Sequence, residues 1–433
     1  TQTVEMNQKA LVIGGGLTGM TAAHKIAQAG FEVYLVEKEA RLGGQARKIY
    51  HTLEGENVPS HLDHLIKEVE KDPRIHLMTA ATIEKVDGFV GNFRTRVMRK
   101  WNGLSEVKDI DHGIIVVATG AEEYRPREYL YGQEARVITQ SLLEEKMVLQ
   151  PQSLKGLKNV VMIQCVGSRN GDRPYCSRIC CSEAIKNALS LKALSPETNI
   201  YILYRDIRTY GFKEDHYEKA REAGILFIRF DPEREPRLET EGDGLCVMAH
   251  EPILHDDLRI QTDLLVLSPG IVAPFEANEH LSKMLKVPLN ADGFFLEAHM
   301  KLRPVDFATE GIFLAGLAHS PKSIEESLSQ ANAAVARALT YLSKTHLETI
   351  GTVSEVDEKK CNACGLCGSV CPYQAIEILS KRTVVGEKEV AQINKTLCKG
   401  CGACAASCRS GSIDLKGFTS EEIVAQITQL AMS

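Results

Sequence analysis

Residues 9–20 read K-A-L-V-I-G-G-G-L-T-G-M, and this stretch decides how the chain folds. Its first part is an apolar strand and its last part opens a helix. Between them stand Gly14, Gly16 and Gly19 in the spacing G-x-G-x-x-G. Glycines allow a tight turn there, and without a Cβ they let a pyrophosphate approach the N–H groups at the start of the helix. The stretch therefore predicts a dinucleotide-binding turn.

The residues that follow complete a βαβ unit. Periodicity predicts a helix over residues 18–29 and a second strand over residues 31–36. Glu37 ends that strand, where a carboxylate can accept hydrogen bonds from a ribose. The glycines alone would also fit a chance glycine-rich turn. Strand, helix and acid in register favour the dinucleotide site instead.

The rest of the first 346 residues alternates between strands and helices. This alternation predicts an α/β fold with mostly parallel sheet. An alanine-rich stretch over residues 323–346 predicts one long helix. The further predicted strands cover residues 113–117, 159–164, 199–204, 225–230, 264–267 and 311–314.

Three short motifs favour FAD over NAD as the dinucleotide. They are L-G-G at 42–44, V-V-A-T-G at 116–120 and G-I-F-L-A-G at 311–316. Together they resemble the landmarks of flavoproteins with two dinucleotide-binding domains, such as thioredoxin reductase and the glutamate synthase small subunit. In that group an Asp that binds the flavin side chain usually follows the last motif, and here Leu317 replaces it.

The resemblance implies a set of FAD-binding positions and a role for the long helix. A helix that starts near Ser323 would point its positive end at the flavin ring, where it can stabilise negative charge. The alternative is a plain packing helix, and the two interpretations are compatible. The residues expected at the FAD are Gly14, Gly16, Leu17, Thr18, Gly19, Glu37, Lys38, Gly43, Gly44, Gln45, Ala118, Thr119, Gly120, Gly316, Leu317, Lys322 and Ser323.

Composition and charge argue against several kinds of partner and against a membrane or secreted location. The 433 residues carry a net charge of −6, which gives no electrostatic footprint for nucleic acid or an anionic membrane. No apolar run approaches the roughly 20 residues that span a bilayer, and the first residues lack a secretory pattern. We therefore expect a cytoplasmic protein. Twelve of the thirteen cysteines fall into three tight groups, leaving Cys246 alone, and such grouping indicates metal rather than disulfides.

The first cysteine group lies where related flavoproteins carry a second glycine motif for NAD(P)H. The strand at 159–164 is followed instead by C-V-G-S-R, which lacks the glycines of a phosphate cradle, so hydride delivery from NAD(P)H becomes doubtful. Cys165, Cys176, Cys180 and Cys181 supply the four thiolates of one [4Fe–4S] cluster. Ligand count alone leaves a zinc site, a redox disulfide and buried structural thiols open. We call these four residues the Cys165 group.

A longer resemblance decides among these alternatives. The runs Q-C-V-G-S-R-N at 164–170, Y-C-S-R-I-C-C at 175–181 and G-L-A-H-S-P-K-S-I-E-E-S at 316–327 resemble the HdrA-like family, which comprises the A-type subunits of heterodisulfide reductases and their relatives. The resemblance covers residue 9 to about residue 432. It implies that the Cys165 group holds a cluster close to the flavin. It also implies that Lys186 lies near the reactive flavin nitrogen; the alternative is an exposed helix lysine.

The third part of the chain carries a repeated cysteine pattern. The first run is C-x2-C-x2-C-x3-C-P, and the second repeats it with Arg409 in place of Pro, which indicates a two-cluster ferredoxin domain rather than zinc. By the crossed pattern of that fold, the fourth cysteine of each run binds the other cluster. The predicted ligand sets are Cys361, Cys364, Cys367 with Cys408, and Cys398, Cys401, Cys404 with Cys371.

These observations define an expected domain order and cofactor set. We expect one FAD and three [4Fe–4S] clusters. Some relatives carry a cysteine-rich insert after the Gly-Gly motif, but residues 45–56 of this chain contain no cysteine. Full-length members also carry an extra N-terminal region with a further cluster, which has no counterpart in this sequence. The expected fold is a Rossmann-type FAD domain with a thioredoxin-reductase-like inserted domain and a C-terminal two-cluster α+β ferredoxin domain. The expected segments are 1–150 and 266–346 for FAD, 151–265 for the insert, 347–360 as linker, 361–417 as ferredoxin domain and 418–433 as docking helix.

The resemblance also implies a function and partners. We expect an electron-transfer subunit in which FAD splits electron pairs between the nearby cluster and the ferredoxin domain. Implied partners are heterodisulfide reductase B/C-type subunits, a hydrogenase- or formate-dehydrogenase-linked donor, ferredoxin and a second A-type chain. Two alternatives stay open: an NAD(P)H-dependent reductase like the glutamate synthase small subunit, and a wiring subunit that does not split electron pairs.

Overall fold

The architecture was taken from a computed structural model, which describes residues 3–101, 104–253, 255–348, 352–383, 386–395 and 397–432. The fold is α/β, with two parallel sheets and a small C-terminal module of antiparallel hairpins, as predicted. The helices of these residues are α1 (Leu17–Gln28), α2 (Val58–Lys71), α3 (Gln140–Leu149), α4 (Cys180–Leu194), α5 (Glu214–Glu222), α6 (Phe275–Leu285), α7 (Ile324–Leu342), α8 (Leu366–Ser369), α9 (Ala403–Ser407) and α10 (Ser420–Met432).

The first sheet is built on the predicted βαβ unit and is parallel throughout. Its strands, in spatial order, are β19 (Ile312–Leu314), β8 (Ile114–Val117), β2 (Lys9–Ile13), β3 (Glu32–Val36) and β4 (Ile75–Met78). Helices α1, α2 and α7 contribute apolar residues to the core on one face. An antiparallel sheet that the sequence did not predict packs on the other face: β5 (Ala81–Phe89), β6 (Asn92–Trp101) and β7 (Leu104–His112).

The second sheet is also parallel and repeats this layered plan. Its strands are β10 (Val137–Thr139), β17 (Leu264–Pro269), β11 (Asn159–Val166), β12 (Asn199–Tyr204) and β13 (Leu226–Arg229), with an antiparallel sheet of β14 (Arg237–Glu241), β15 (Gly244–Glu251) and β16 (Asp256–Thr262). The short strands β9 (Glu122–Glu123) and β18 (Ile271–Val272) pair with each other. Because β10 belongs to this sheet, the second unit begins before the predicted boundary at residue 150.

The C-terminal module starts earlier than predicted. Helix α7 ends at Leu342 rather than residue 346, and β20 (His346–Glu348) pairs with β1 (Thr3–Glu5). The predicted linker over residues 347–360 is therefore partly strand, because β21 (Ser354–Val356) pairs with β24 (Ile413–Leu415). The module also contains the hairpin of β22 (Ile376–Thr383) and β23 (Gly386–Ile393). We call residues 354–417 the ferredoxin module.

The last helix forms as predicted and is exposed over its described residues. In α10 no described residue is buried, and Ile427 and Leu430 are largely exposed. The capping pair of Thr419 and Glu422 is present, since the Glu422 amide donates to the Thr419 hydroxyl at 3.2 Å. No helix in the described part of the chain is long and apolar enough to cross a membrane.

Candidate functional site

A cavity of about 580 Å³ opens at the carboxyl ends of the first sheet, where open α/β sheets bind their ligands. This volume is within the usual range of cofactor sites. Of the seventeen residues predicted at the FAD, the structure places fifteen in its lining: Gly14, Gly16, Leu17, Thr18, Glu37, Lys38, Gly43, Gly44, Gln45, Ala118, Thr119, Gly120, Leu317, Lys322 and Ser323. The motifs quoted from distant parts of the sequence thus meet at one site.

The two remaining predicted residues, Gly19 and Gly316, do not line the cavity. A Cβ on Gly19 would lie 1.8 Å from the carbonyl oxygen of Gly14, and one on Gly316 would lie 2.5 Å from the hydroxyl of Thr18. Both glycines therefore permit close packing behind the site. Gly16 differs, because a Cβ there would meet no atom within 4 Å.

The charged ends of the cavity are fixed by backbone hydrogen bonds. Glu37 accepts hydrogen bonds from the amides of Gly15 at 2.5 Å and Glu39 at 2.8 Å. Helix α7 begins at the cavity wall, where Ser323 and Glu326 form a capping box. The buried Lys322 donates to the carbonyl of Gly316 at 2.7 Å, and burial lowers its pKa to about 8.

Lys186 is not the exposed helix lysine of the alternative interpretation. It lines the cavity, and only 10% of its side chain is exposed. Its Nζ pairs with Glu144 Oε2 at 2.9 Å and donates to the His51 carbonyl at 3.0 Å. The other Glu144 oxygen accepts the amides of Tyr50 and His51, each at 3.0 Å. The pair is thus held rigidly at the cavity wall.

Two carboxyl groups of the cavity were missed at the sequence level. Burial raises the pKa of Glu183 to about 7, and the nearby Lys186 only partly opposes this shift. Burial also raises the pKa of Glu123, although its carboxylate accepts a hydrogen bond from Ser141 at 2.9 Å. Both glutamates line the cavity. The site therefore holds carboxyl groups that retain protons more readily than free glutamate.

The Cys165 group adjoins this cavity. Cys165 lies at the end of β11, while Cys180 and Cys181 open α4. A hydrogen bond with Cys181, burial and the nearby thiols of Cys165 and Cys176 raise the pKa of the Cys180 thiol. Ile179 and Ser182, on either side of the paired cysteines, line the cavity.

Strained backbone and cations surround the Cys165 group. Cys165, Arg169 and Arg178 all have positive φ, between 57° and 64°, a conformation that non-glycine residues adopt at functional sites. Arg178 lies between the cysteines and pairs with Glu326 at the start of α7 at 2.5 Å. The cysteine segment is therefore tied directly to the helix that begins at the cavity wall.

The turn after β11 packs closely against an aromatic side chain. A Cβ on Gly167 would lie 2.1 Å from the ring of Tyr124, and Arg173 stacks on that ring at 4.4 Å.

In the ferredoxin module, cysteines of both runs line one small cavity, and the crossed ligand sets stay a prediction. Cys371 lines a small cavity with the three cysteines of the second run, Cys398, Cys401 and Cys404. Burial raises the pKa of the Cys367 thiol, and the nearby thiols of Cys364 and Cys361 raise it further. Backbone amides also approach the sulfurs: Ala363 and Ala391 donate to Cys361, each at 3.4 Å. Such hydrogen bonds are one of the means by which proteins tune iron–sulfur centres.

Two family models match the chain. One describes an NAD(P)-binding Rossmann-like domain and matches residues 12–82. The other describes a 4Fe-4S dicluster domain and matches residues 360–421. The two matches agree with the glycine-rich unit and with the ferredoxin module.

Several relatives match along most of their length. One of the A-type iron-sulfur subunits of CoB–CoM heterodisulfide reductase from Methanopyrus kandleri is 34% identical over 88% of this chain and 71% of the relative. The A-type chain of the H2:CoB-CoM heterodisulfide,ferredoxin reductase from Methanothermobacter thermautotrophicus is 33% identical over 87% of this chain and 70% of the relative. An HdrA-like protein from Archaeoglobus profundus is 31% identical and covers 99% of this chain and 79% of the relative.

Solved structures share the fold of the first two sheets. Thioredoxin reductase from T. acidophilum has a TM-score of 0.53 at 14% identity, over 77% of this chain and 98% of that structure. Thioredoxin reductase from Lactococcus lactis also has a TM-score of 0.53, at 16% identity, over 77% of this chain and 99% of that structure. At these identities the likeness concerns the fold, and it confirms the predicted thioredoxin-reductase-like architecture.

Proposed function

The chain belongs to the HdrA-like family of heterodisulfide reductase subunits, and from that premise we propose that it splits electron pairs at FAD between ferredoxin and a disulfide-reducing partner. Family membership makes it a flavin- and iron–sulfur-type oxidoreductase subunit. The splitting of electron pairs, one FAD per chain and three [4Fe–4S] clusters are parts of the proposal.

One observation carries the proposal: the residues on either side of the paired cysteines of the Cys165 group line the cavity. Ile179, Ser182 and Glu183 line the cavity, and Cys180 and Cys181 stand between them in the chain. A cluster on these cysteines would be within short reach of a flavin ring in the cavity. A cluster exchanges single electrons while a flavin can hold two, so this adjacency suits a converter between paired and single electrons.

The residues of the cavity fit FAD. Gly16 leaves open space where a pyrophosphate must approach the backbone. The Thr119 hydroxyl lines the cavity, is buried and has no hydrogen-bond partner among the described residues, so it can serve a ligand. Glu37 would hold a ribose, and the first amides of α1 would hold the phosphates.

The ring end of the cavity is suited to negative charge. FAD bound there would supply reversible two-electron and one-electron chemistry. Lys186 and the N-terminus of α7 would stabilise an anionic ring electrostatically. Glu183, with its pKa near 7, holds a proton at neutral pH more readily than a free glutamate. Leu317 offers no carboxylate, so contacts to the flavin side chain come from other residues of the wall.

The alternative NAD(P)H-dependent reductase is disfavoured by the residues after β11, because C-V-G-S-R at 165–169 lacks the glycines of a second phosphate cradle. We therefore propose that electrons reach the flavin from protein partners. Relatives are named for H2, formate, ferredoxin or F420H2 as electron donors or acceptors, which supports a hydrogenase- or formate-dehydrogenase-linked donor, ferredoxin and B/C-type subunits as partners. A dimer of A-type chains belongs to the same proposal.

Metal and flavin analysis after anaerobic purification tests the cofactor set. We expect about twelve Fe, one FAD and no stoichiometric Zn per chain, since each [4Fe–4S] cluster contains four iron atoms. Cys180→Ala/Cys181→Ala should lower iron to about eight and keep the FAD. Cys246→Ala, a control at a buried cysteine outside the three groups, should leave iron unchanged. Eight Fe in the unmodified chain would remove the Cys165-group cluster from the proposal.

A further inference from the structure

Two arginines lie close to thiols of the Cys165 group. Arg169 follows Cys165 in the same turn, and its Nη1 donates to the Cys165 sulfur at 3.9 Å. Arg208 comes from the segment after β12. A hydrogen bond with Asp206 raises the pKa of the Arg208 guanidinium, and the nearby Cys176 thiol raises it further. Cations from two separate segments are therefore placed beside two of the four predicted cluster ligands.

One carboxylate holds both arginines. Asp206 Oδ1 accepts from Arg169 Nη1 at 2.6 Å, and Asp206 Oδ2 accepts from Arg208 Nε at 2.9 Å. The Arg169 side chain is 20% exposed and the Arg208 side chain 44%, so solvent ions screen the charge of Arg169 less. A single carboxylate shared by two guanidinium groups leaves one positive charge unbalanced beside the cysteines.

The neighbouring charges do not cancel this surplus. Arg205 pairs with Glu235, and Arg178 pairs with Glu326, each at 2.5 Å. Arg205 also donates to the backbone carbonyl of Arg169 at 2.6 Å and so fixes the segment that carries this side chain. Within the described ranges, the four arginines around the Cys165 group thus share three carboxylates.

The ferredoxin module surrounds its cysteines with neutral partners. The amide of Ser412 donates to the Cys408 sulfur at 3.3 Å, and the amide of Ala375 donates to the Cys371 sulfur at 3.4 Å. The other hydrogen bonds described for sulfurs of the module also involve backbone amides or serine hydroxyls. Among the described residues, a guanidinium that donates to a cysteine sulfur is found only at the Cys165 group.

This difference bears on how readily a cluster takes up an electron. Reduction adds one negative charge to an iron–sulfur cluster, and nearby cations and hydrogen bonds to the sulfurs stabilise that charge. Resting on the proposed function, which puts a cluster on the Cys165 group, we propose that Arg169 and Arg208, oriented by Asp206, raise the reduction potential of that cluster. The flavin supplies the electron, and no bond is made or broken. The two arginines thereby favour the passage of single electrons from the flavin to the cluster.

A redox titration of the holoprotein, followed by electron paramagnetic resonance, tests this inference. The signal that Cys180→Ala/Cys181→Ala removes is that of the Cys165-group cluster. At a fixed potential, Arg169→Met should lower the ratio of reduced to oxidised Cys165-group cluster about ten-fold, which corresponds to about 59 mV for one electron. Arg208→Met should lower the ratio less, because this side chain is more exposed. The clusters of the ferredoxin module should keep their potentials and serve as an internal reference.

Two further variants separate charge from structure. Arg169→Lys keeps the positive charge and should therefore lower the ratio less than Arg169→Met does. Arg94 is an exposed arginine on β6 that pairs with Asp111 at 2.6 Å. Arg94→Met removes the same charge outside the Cys165 group and should leave every potential unchanged.

The outcomes distinguish this inference from the proposed function. An Arg169→Met chain that keeps its iron and its cluster potential would overturn the inference and leave the proposed function standing. About eight Fe in the unmodified chain, with no signal from the Cys165 group, would contradict both. If Arg169→Met loses iron, Arg208→Met and Arg169→Lys decide, and unchanged potentials in these two variants would overturn the inference.

Discussion

Two glycines of the same motif should respond in opposite ways to substitution by alanine. Gly16 faces the cavity, and a Cβ there meets no atom within 4 Å. Its φ of −73° is ordinary for any residue. Gly19 packs against the carbonyl of Gly14, and its Cβ would lie 1.8 Å from that oxygen. The same methyl group therefore affects the ligand at one position and the fold at the other.

The magnitudes follow from these distances. Real Cβ atoms essentially never come closer than 3.0 Å, so Gly19→Ala must open the turn by about 1.2 Å. Such overpacking costs about 1–3 kcal/mol. That loss lowers Tm by several degrees at ~2–4 °C per kcal/mol. Gly16→Ala should keep Tm and weaken FAD binding at least ten-fold, equal to ~1.4 kcal/mol, because the methyl group blocks the close approach of the pyrophosphate.

The assay measures both properties on the same preparations. Flavin is stripped from each variant, thermal unfolding of the stripped chain gives Tm, and FAD titration by fluorescence quenching gives Kd. A Gly16→Ala chain that binds FAD as tightly as the unmodified chain would refute the assignment of Gly16 to the pyrophosphate. A stripped Gly19→Ala chain with unchanged Tm would refute the packing argument.

Three further predictions concern titratable side chains and an ion pair. Lys186→Met should lower the flavin midpoint potential. It should also destabilise the chain by about 3 kcal/mol, because it leaves the buried Glu144 carboxylate without its cation. Redox titration and thermal unfolding test these two effects, with Lys186→Arg as the control. Burial lowers the pKa of His112 to about 4, below the unfolded value of 6.5. Stability should therefore fall by up to about 3 kcal/mol as pH drops from 6.5 to 4, and His112→Gln should remove this slope in urea titrations. Arg178→Met and Glu326→Gln should each speed the loss of Cys165-group iron to a chelator. The double variant should lose iron no faster than either single variant, because both substitutions break the same ion pair.

Each of these predictions has a contradicting outcome. An unchanged potential in Lys186→Met would place this lysine outside the influence of the flavin. Parallel pH curves for His112→Gln and the unmodified chain would mean that His112 does not remain neutral in the fold. Additive effects of Arg178→Met and Glu326→Gln would mean that the two residues act independently.

Motifs with fixed local spacing were predictable from the sequence. The glycine turn and both ferredoxin cysteine runs place their side chains through the local chain geometry alone, so their positions follow from spacing. Gly19 and Gly316 show the limit of this reasoning. Their motif predicts cofactor contact, but the atoms that face them, the Gly14 carbonyl and the Thr18 hydroxyl, belong to the protein.

The missed carboxyl groups show what tertiary structure adds. Glu123 reaches the cavity from a crossover strand that carries no motif, so no local signal identifies it. Glu183 could have been found. Helical spacing places four residues on one face of this segment: 179, 182, 183 and 186. Lys186 was already predicted to lie near the flavin, so its neighbour on that face could have been predicted as well. All four line the cavity.

The position of the ferredoxin module could not be predicted from the sequence. The long helix was predicted, but its length separates two sites only if the module packs at its far end. That packing depends on long-range contacts such as the pair of Lys399 with Glu310, which no local pattern encodes.

The adjacency of the flavin cavity and the Cys165 group can be tested by magnetic relaxation. A paramagnetic cluster speeds the spin relaxation of a one-electron-reduced flavin beside it, and the effect falls steeply with distance. The flavin signal of the reduced holoprotein should therefore relax much faster than that of Cys180→Ala/Cys181→Ala at the same temperature. Identical relaxation in the two proteins, with iron present at the Cys165 group of the first, would contradict the account.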